Sequence, residues 1–582
     1  MWQSDWRSLV GLGFDAVSRR EVWFSAAAVF VLALVVRALA AAAVSFPVPE
    51  NTAYYAGVAR NLVEGRGLIS DSLWSYGTQP LTVPRAAFEV WMPLPSLLAA
   101  IPMAMLGVAN WFRAAQLSSV LVSSAIPVLA WRIGADVAAE MALPVGRARA
   151  LAVGSGLVAA ALGPLVIYGA LPDSTAPFAA LSLAACLLMA RIAARETESK
   201  EARGRGAAES GARLVSDRLD GPLPARRLIG LGLLLGLAAL TRSEAIWIGL
   251  SWAAVAWFWI PGSRRRRLIL VATPALVAGL VFAPWVVRNA LVFGTPLPGQ
   301  TISNALFIHS YDVFAYQGQP SLSGYLDQGL AAILSQHIGG IGHDLFNVLA
   351  IPAFPVGVLG LLALPWVWRR RALRPLVLTS GLTFATTSLL FPVATTSGTF
   401  LHAAGATYVL LAISCLVALD ALLVGVGKLR HWTRPVAWIG PGLAIAAIIP
   451  LCGVTVTTMA RQADDVRTLY QALPAAMARA GLPLDTAGPI ITNNPIWLAE
   501  SARVPTLALP QESPDAVLAL AHRFGVKMLV IREDGNEWPA ILVDGGPAAL
   551  CFQEIPLSGN SGSKVGEGSP LAEIHVFRIV CP

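Results

Sequence analysis

Four short polar runs stand at the ends of apolar stretches, and each carries side chains able to do chemistry. Glu50-Asn51-Thr52-Ala53-Tyr54-Tyr55 opens a loop after the first apolar run, and Leu171-Pro172-Asp173-Ser174 interrupts two later ones. Thr241-Arg242-Ser243-Glu244 joins two further runs, and Trp285-Val286-Val287-Arg288-Asn289 ends another. A carboxylate such as Glu50 or Asp173 can take a proton from an incoming hydroxyl. Arginine offers a planar fork to phosphate, so Arg242 and Arg288 suit contact with a phosphate. His402, after Thr395-Thr396-Ser397-Gly398-Thr399-Phe400-Leu401, adds a titratable group that can bind an anionic ligand or simply be satisfied within its loop. Structural readings stand beside these. Asp173 before Ser174-Thr175 is also a helix cap. Glu89 is four residues from Arg85 and can simply pair with it. Arginines at span ends can snorkel to lipid headgroups. Arg37 falls about three turns into the first apolar run, where a charge is a functional candidate by default or is paired with another buried polar group.

The elements that position these residues follow from composition and charge. The 582-residue chain is 56% hydrophobic and 13% charged, with mean hydropathy +0.64. Soluble domains carry about 25% charged residues, so a soluble globular fold is excluded. Many apolar runs approach the roughly 20 residues that cross a bilayer. Arginine outnumbers lysine 38 to 4, the mark of a GC-rich genome, and a bacterial source is expected. The basic residues gather in six stretches: Arg19–Arg20, Arg132 to Arg149, Arg191 to Arg227, Arg264 to Arg267, Arg369 to Arg374 and Lys428 to Arg434. Such stretches stay cytoplasmic. They mark topology rather than a nucleic-acid partner.

Placing all six inside predicts a polytopic α-helical membrane protein with eleven spans, in the plasma (inner) membrane, with the N-terminal segment 1–21 cytoplasmic. The transmembrane unit covers 22–459. Spans fall at about 22–46, 112–131, 150–171, 175–193, 228–241, 245–260, 268–289, 346–367, 375–392, 403–424 and 436–459. The first outer loop is 47–111, and its Pro-rich apolar stretch Val90 to Val108 reads as a helix lying at the interface with Trp91 at headgroup level. A cytoplasmic linker, 195–227, and an outer loop, 294–345, complete the unit. This threading puts Glu50, Asp71, Glu89, Asp173, Arg242, Arg288 and His402 on one face. Twelve or thirteen spans remain an alternative.

Residues 460–582 read as a small extracytoplasmic α/β domain. Strands are expected at Pro489 to Thr492, Pro505 to Leu509, Val526 to Ile531 and Ile574 to Val580, with helices at Pro495 to Arg503 and Asp515 to Phe524. Two of the five cysteines, Cys551 and Cys581, lie in this tail, where either a disulfide or two free thiols is compatible with an outside location. There is no dinucleotide fingerprint or P-loop. His337 and His343 with Asp344 flank a Gly-rich turn and do not have zinc spacing, so no metal site and no cofactor is expected; a divalent cation is compatible with the sequence but not indicated by it.

The first loop, from Glu50-Asn51-Thr52-Ala53-Tyr54-Tyr55 through Ala59-Arg60-Asn61-Leu62 to Glu64-Gly65-Arg66-Gly67, resembles the GT-C class of membrane glycosyltransferases. That class includes the protein O-mannosyltransferases and the lipid A aminoarabinose transferase. The Asp173 loop, the run Gly236 to Glu244, and Pro284 to Pro296 are similar to its later segments in order, over roughly residues 20–420. The resemblance implies an inverting transfer of a sugar from a polyprenyl-phosphate donor in the outer leaflet to a hydroxyl on protein, lipid or cell-envelope glycan. It implies Glu50 and Asp173 as catalytic groups. Asn51, Tyr54, Tyr55, Glu89, Arg242, Arg288, His402 and Arg37 become the substrate-binding residues. It also places an aspartate three residues before Tyr54, where this chain has Asn51. A silent relative that binds lipid-linked sugar or a partner, and a lipid or sugar transporter, are the alternative readings.

Overall fold

The structure is a computed structural model, and it describes residues 19–209, 223–298, 303–432, 436–533, 542, 545–557 and 571–581. The N-terminal segment and the middle of the 195–227 linker lie outside the described residues. The chain is mainly helical because its long Ala/Leu/Val runs satisfy every backbone polar group internally, which a bilayer demands. The helices are α1 (Arg19–Ala43), α2 (Glu50–Val63), α3 (Leu94–Leu106), α4 (Trp111–Ser123), α5 (Ala125–Glu140), α6 (Val145–Ala161), α7 (Thr175–Glu209) and α8 (Ala225–Ala239). They continue with α9 (Ala245–Phe258), α10 (Arg264–Phe293), α11 (Leu330–Ala350), α12 (Phe354–Val367), α13 (Arg374–Leu390), α14 (Gly405–Leu429), α15 (Ile439–Arg479), α16 (Pro495–Ala502) and α17 (Pro514–Phe524). Among the described residues, six helices or near-continuous helix pairs are long and apolar enough to cross a membrane. A seventh span follows if α11 and α12, bent by 108° at their junction, count as one.

Three features depart from the sequence reading. Helix α11 occupies residues expected to form an outer loop. Helix α7 runs on through Glu209, well into the expected linker, and α15 runs unbroken past residue 460 to Arg479. The Gly-rich segment at 339–342 is helix, not turn. A side chain at Gly340 would meet the Pro392 carbonyl oxygen at 2.8 Å, so the glycine is there for close helix approach.

Contacts tie the basic stretches together at one end of the bundle. Arg191 Nε lies 3.1 Å from Asp136, and Arg147 Nε donates to Asp420 at 2.9 Å. Glu140 accepts the Arg371 N–H at 2.8 Å, and Glu196 accepts from Arg266 Nε at 2.8 Å. Four of the six stretches are joined by these contacts, the arrangement that charge-guided insertion produces.

The opposite end carries a six-stranded sheet. Its strands are β2 (Ser72–Leu73), β4 (Ile490–Thr492), β5 (Thr506–Ala508), β6 (Met528–Arg532), β7 (Phe552–Glu554) and β8 (Ile574–Ile579), in the order β2-β5-β4-β6-β8-β7. Two-residue strands β1 (Ile69–Ser70) and β3 (Arg85–Ala86) form a separate antiparallel pair. β2, β5, β4 and β6 are parallel and β8 and β7 antiparallel. Helix α17 starts where Ser513 caps it through the Ala516 N–H. Cys551 and Cys581 are joined as a disulfide. One strand, β2, comes from the first loop: Thr506 N donates to the Asp71 carbonyl at 3.0 Å, and the Tyr76 hydroxyl donates to the Ala508 carbonyl. The C-terminal unit and the first loop thus fold as one body around a shared core that includes Tyr54, Trp74, Phe88, Trp497 and Leu507.

A second tether reaches residues 303–329. The Glu512 carboxylate accepts the N–H groups of Tyr316, Gln317 and Gly318 at 2.8 to 3.1 Å. Removing it with Glu512→Ala strands three donors, each hydrogen bond to a charged group being worth about 1.5–3 kcal/mol. We expect the 303–329 segment to be nicked several-fold faster by added protease, with overall Tm shifted by only a few degrees.

Candidate active site

Asp173 sits in the turn that starts α7, and its side chain is fully buried. One oxygen does what the capping reading requires: Oδ1 accepts the Thr175 N–H at 2.7 Å and the Thr175 hydroxyl. The other, Oδ2, accepts from Asn51 Nδ2 at 2.8 Å. His402 closes the group. Its Nδ1 lies 2.7 Å from Thr175 Oγ1 and 3.3 Å from Asp173 Oδ1, and its Nε2 lies 3.4 Å from Asn51 Nδ2. Tyr168 packs edge-on to the imidazole, ring centres 4.8 Å apart. Burial pushes the Asp173 carboxyl up, but His402 and the Thr175 donors outweigh burial and hold it below the ordinary carboxylate range. The carboxylate is therefore ionised at neutral pH and loses its charge only as pH falls through that lowered value.

Asn51 reaches this point from the first turn of α2, where its own Oδ1 accepts the Thr52 N–H at 2.9 Å. Its amide donates where a second carboxylate would have repelled Asp173. Asn51 is thus a hydrogen-bond partner of the buried acid.

The α8–α9 hairpin adds Arg242. Its guanidinium makes a two-point contact with Glu244 (3.2 and 2.6 Å), donates to Ser174 Oγ at 3.0 Å and reaches the Thr399 carbonyl at 3.4 Å. Its donors are spent on three neighbouring segments, so it clamps the Asp173 and His402 loops together. Beside it lies a cavity of about 380 Å³, walled by Tyr55, Trp91, Thr241, Arg242, Glu244 and Thr399 among others. Asp173 does not line this cavity; it stands behind Ser174, one residue from the Arg242 contact.

The other candidate residues occupy distinct places. Glu50 turns to the C-terminal unit, where Oε1 accepts the N–H groups of Ile496 and Trp497 at 3.1 and 3.2 Å. Tyr54 accepts the Phe88 N–H at 2.7 Å within an aromatic cluster in which Trp91 stacks on Trp74, centres 4.3 Å apart. Trp91 is half-buried against these rings. Glu89 is buried 3.5 Å from Arg85 (side-chain exposure 1% each), and burial raises its carboxyl above the ordinary value against the pull of Arg85 and Arg288. Arg288 lies over the rings of Trp285 and Phe293 at 4.7 and 5.1 Å and donates to Asn289 Oδ1; among the described residues it has no carboxylate within ion-pair distance. Arg37 is far from this group: it is buried between α1 and α6 and donates to the carbonyls of Ala33, Ala159 and Ala160 at 3.3 to 3.5 Å. A helical carbonyl can accept a second bond, which is how an arginine survives inside a span without a counter-ion.

Sequence reasoning missed three residues. Thr175 joins Asp173 to His402. Glu244 neutralises Arg242. Asp344, fully buried, accepts the hydroxyls of Thr387, Ser388 and Thr395 at 2.6 to 2.9 Å and so fixes the segment leading to His402. Only Asp344 carried a signal, as an acid four residues after Gly340 on one face of an apolar helix. No group of three or more His, Cys, Asp or Glu placed to hold a metal ion occurs among the described residues.

No protein-family model matches the chain, and no curated protein matches it. Solved structures do. The apo oligosaccharyltransferase of Archaeoglobus fulgidus superposes with a TM-score of 0.51 at 12% identity, over 92% of this chain and 73% of that one. ArnT from Cupriavidus metallidurans, bound to undecaprenyl phosphate, superposes with a TM-score of 0.51 at 13% identity, over 95% of this chain and 97% of that one. The likeness extends over the helical bundle and the C-terminal unit together, and on it the chain is a membrane protein with the GT-C glycosyltransferase fold.

Proposed function

We propose that this protein is a glycosyltransferase that moves a sugar from a polyprenyl-phosphate donor to an acceptor hydroxyl at the membrane face bearing the C-terminal unit. The observation that carries the reading is the buried, ionised Asp173 held by Asn51, Thr175 and His402 beside the cavity that Arg242 walls. The ArnT neighbour's bound undecaprenyl phosphate supports the donor class. The basic stretches gathered at the opposite end support a cytoplasmic N-terminus and an extracytoplasmic C-terminal unit.

Transfer needs three things. The acceptor hydroxyl must lose its proton as it attacks the anomeric carbon, and the Asp173–His402 pair supplies the acceptor: the imidazole, 13% exposed, takes the proton and the buried carboxylate stabilises the cation that forms. The departing phosphate gathers negative charge. Arg288, which has no carboxylate within ion-pair distance among the described residues, is the arginine placed to meet it, whereas Arg242 is committed to Glu244. Water must stay out, and the Tyr54, Trp74, Phe88 and Trp91 rings close the side of the site nearest the sheet. A single displacement inverts the anomeric centre.

The test is sugar transfer or donor hydrolysis by purified protein in lipid with a panel of radiolabelled polyprenyl-phosphate sugars. Turnover that collapses in Asp173→Asn upholds the proposal. Donor binding with no turnover by wild type overturns it in favour of a binding protein. If Arg288 meets the phosphate, Arg288→Ala raises the KM for donor about tenfold or more, with a smaller change in the acceptor KM, since a charge-assisted contact is worth about 1.5–3 kcal/mol.

A further inference from the structure

Helix α16 has an unusual start. Asn494 stands at its N-cap position, yet no side-chain cap bond forms there; the Asn494 Oδ1 accepts from the Tyr470 hydroxyl instead. The first N–H groups of a helix need acceptors. Those of Ile496 and Trp497 find one in Glu50, 446 and 447 residues earlier in the chain. The same helix sends the Trp497 indole N–H to the Pro47 carbonyl at 2.9 Å and the Glu500 carboxylate to Arg60. It therefore grips α2 at its approach, its first residue and its third turn. The first residue is the neighbour of Asn51, whose amide holds Asp173.

We infer that Glu50 is a positioning residue through which helix α16 of the C-terminal unit sets the aim of Asn51, and so the orientation of the Asp173 carboxylate. This rests on the transferase reading for its consequence in catalysis, though not for its geometry. Glu50 contributes reach and an acceptor oxygen, not charge at the reacting atoms. The Asn51–Asp173 bond is 2.8 Å long, so a shift of about 1 Å in the first turn of α2 breaks it, and misplacements of that size cost up to about 10²-fold in rate.

Two variants separate reach from charge. Glu50→Gln loses the charge and keeps the acceptor at full reach. Glu50→Asp keeps the charge and is one methylene short. With the polyprenyl-phosphate sugar that wild type turns over, Glu50→Gln should stay within about threefold of wild-type kcat, and Glu50→Asp should fall about tenfold or more at unchanged donor KM. The reverse order overturns the inference, because it makes the charge the active property. Hydrogen exchange gives a readout free of turnover. Glu50→Asp should speed exchange in 495–502 and also in 171–176, and Glu50→Gln in neither. Faster exchange confined to 495–502 overturns the coupling. If wild type transfers no sugar at all, the exchange arm still decides the coupling, so the two ideas fail separately.

Discussion

Asp173→Asn should lower kcat by about 10²- to 10⁴-fold, the usual contribution of positioned proton transfer, while donor binding changes little. The substitution is nearly isosteric, so the Thr175 contacts at the start of α7 can persist. What it removes is the charge that stabilises a protonated His402. Asn at 173 also faces the Asn51 amide with no preference for accepting, so the 2.8 Å bond loses its charge assistance. His402 gives a second reading. Because the imidazole is itself the group that takes the proton, His402→Gln should lower kcat by a similar factor, again with little change in donor binding. Single-turnover rates in nanodiscs measure both. A His402→Gln variant that turns over at the wild-type rate would refute the pairing.

Arg60→Ala is expected to be the most destabilising single change. Arg60 and Glu500 form a buried ion pair, each side chain 6% exposed, with the guanidinium 4.6 Å above the Trp111 ring. Removing one partner leaves a buried charge without its counter-charge, which costs about 3–5 kcal/mol. The close approach depends on Gly57: an added Cβ there would fall within 2.0 to 2.7 Å of the Glu500 carboxylate, so Gly57→Ala should weaken the same pair by displacing it. Burial already pushes Glu500 up to about 7 against the pull of Arg60. An acid raised on folding contributes stability that is fully present below its unfolded value, near 4.5, and is lost as pH rises through the folded one. The Arg60→Ala deficit should therefore be larger at pH 8 than at pH 5. Arg60→Met with Glu500→Leu should recover most of the loss, because a packed apolar pair no longer carries a charge to desolvate. Thermal unfolding in detergent across that pH range measures all three.

The membrane class was legible because an apolar run long enough to cross a bilayer is a statement about solvent as much as about neighbours. The arginines were legible as topology for the same reason, and contacts such as Arg147–Asp420 and Arg191–Asp136 bring them to one face. Asp173, Asn51 and His402 could be named from the sequence as residues of one face, but not as mutual contacts. A threading gives depth along the membrane normal and says nothing of azimuth within the plane. Glu50 and Asn51 show the limit most plainly. They are adjacent in sequence, yet the helix start sends one toward Asp173 and the other toward α16. Asp344 escaped because its glycines read as turn residues, whereas in a helix they let another segment come close. Two-residue strands such as β2 leave no periodic signal at all.

That small strand constrains biogenesis. Ser72 and Leu73 pair with Thr506 and Leu507, so the two segments must end up in the same compartment although every span after α1 is threaded between them. The number of bilayer crossings from residue 111 to residue 490 is then even, whatever the individual spans turn out to be. An odd insertion error anywhere in that interval would leave the sheet without its first strand. Nor can the pairing form until translation has passed residue 508, after every intervening span has been made. A ribosome that stops early would release a protein with its helices in place and the two parts of its sheet still unjoined.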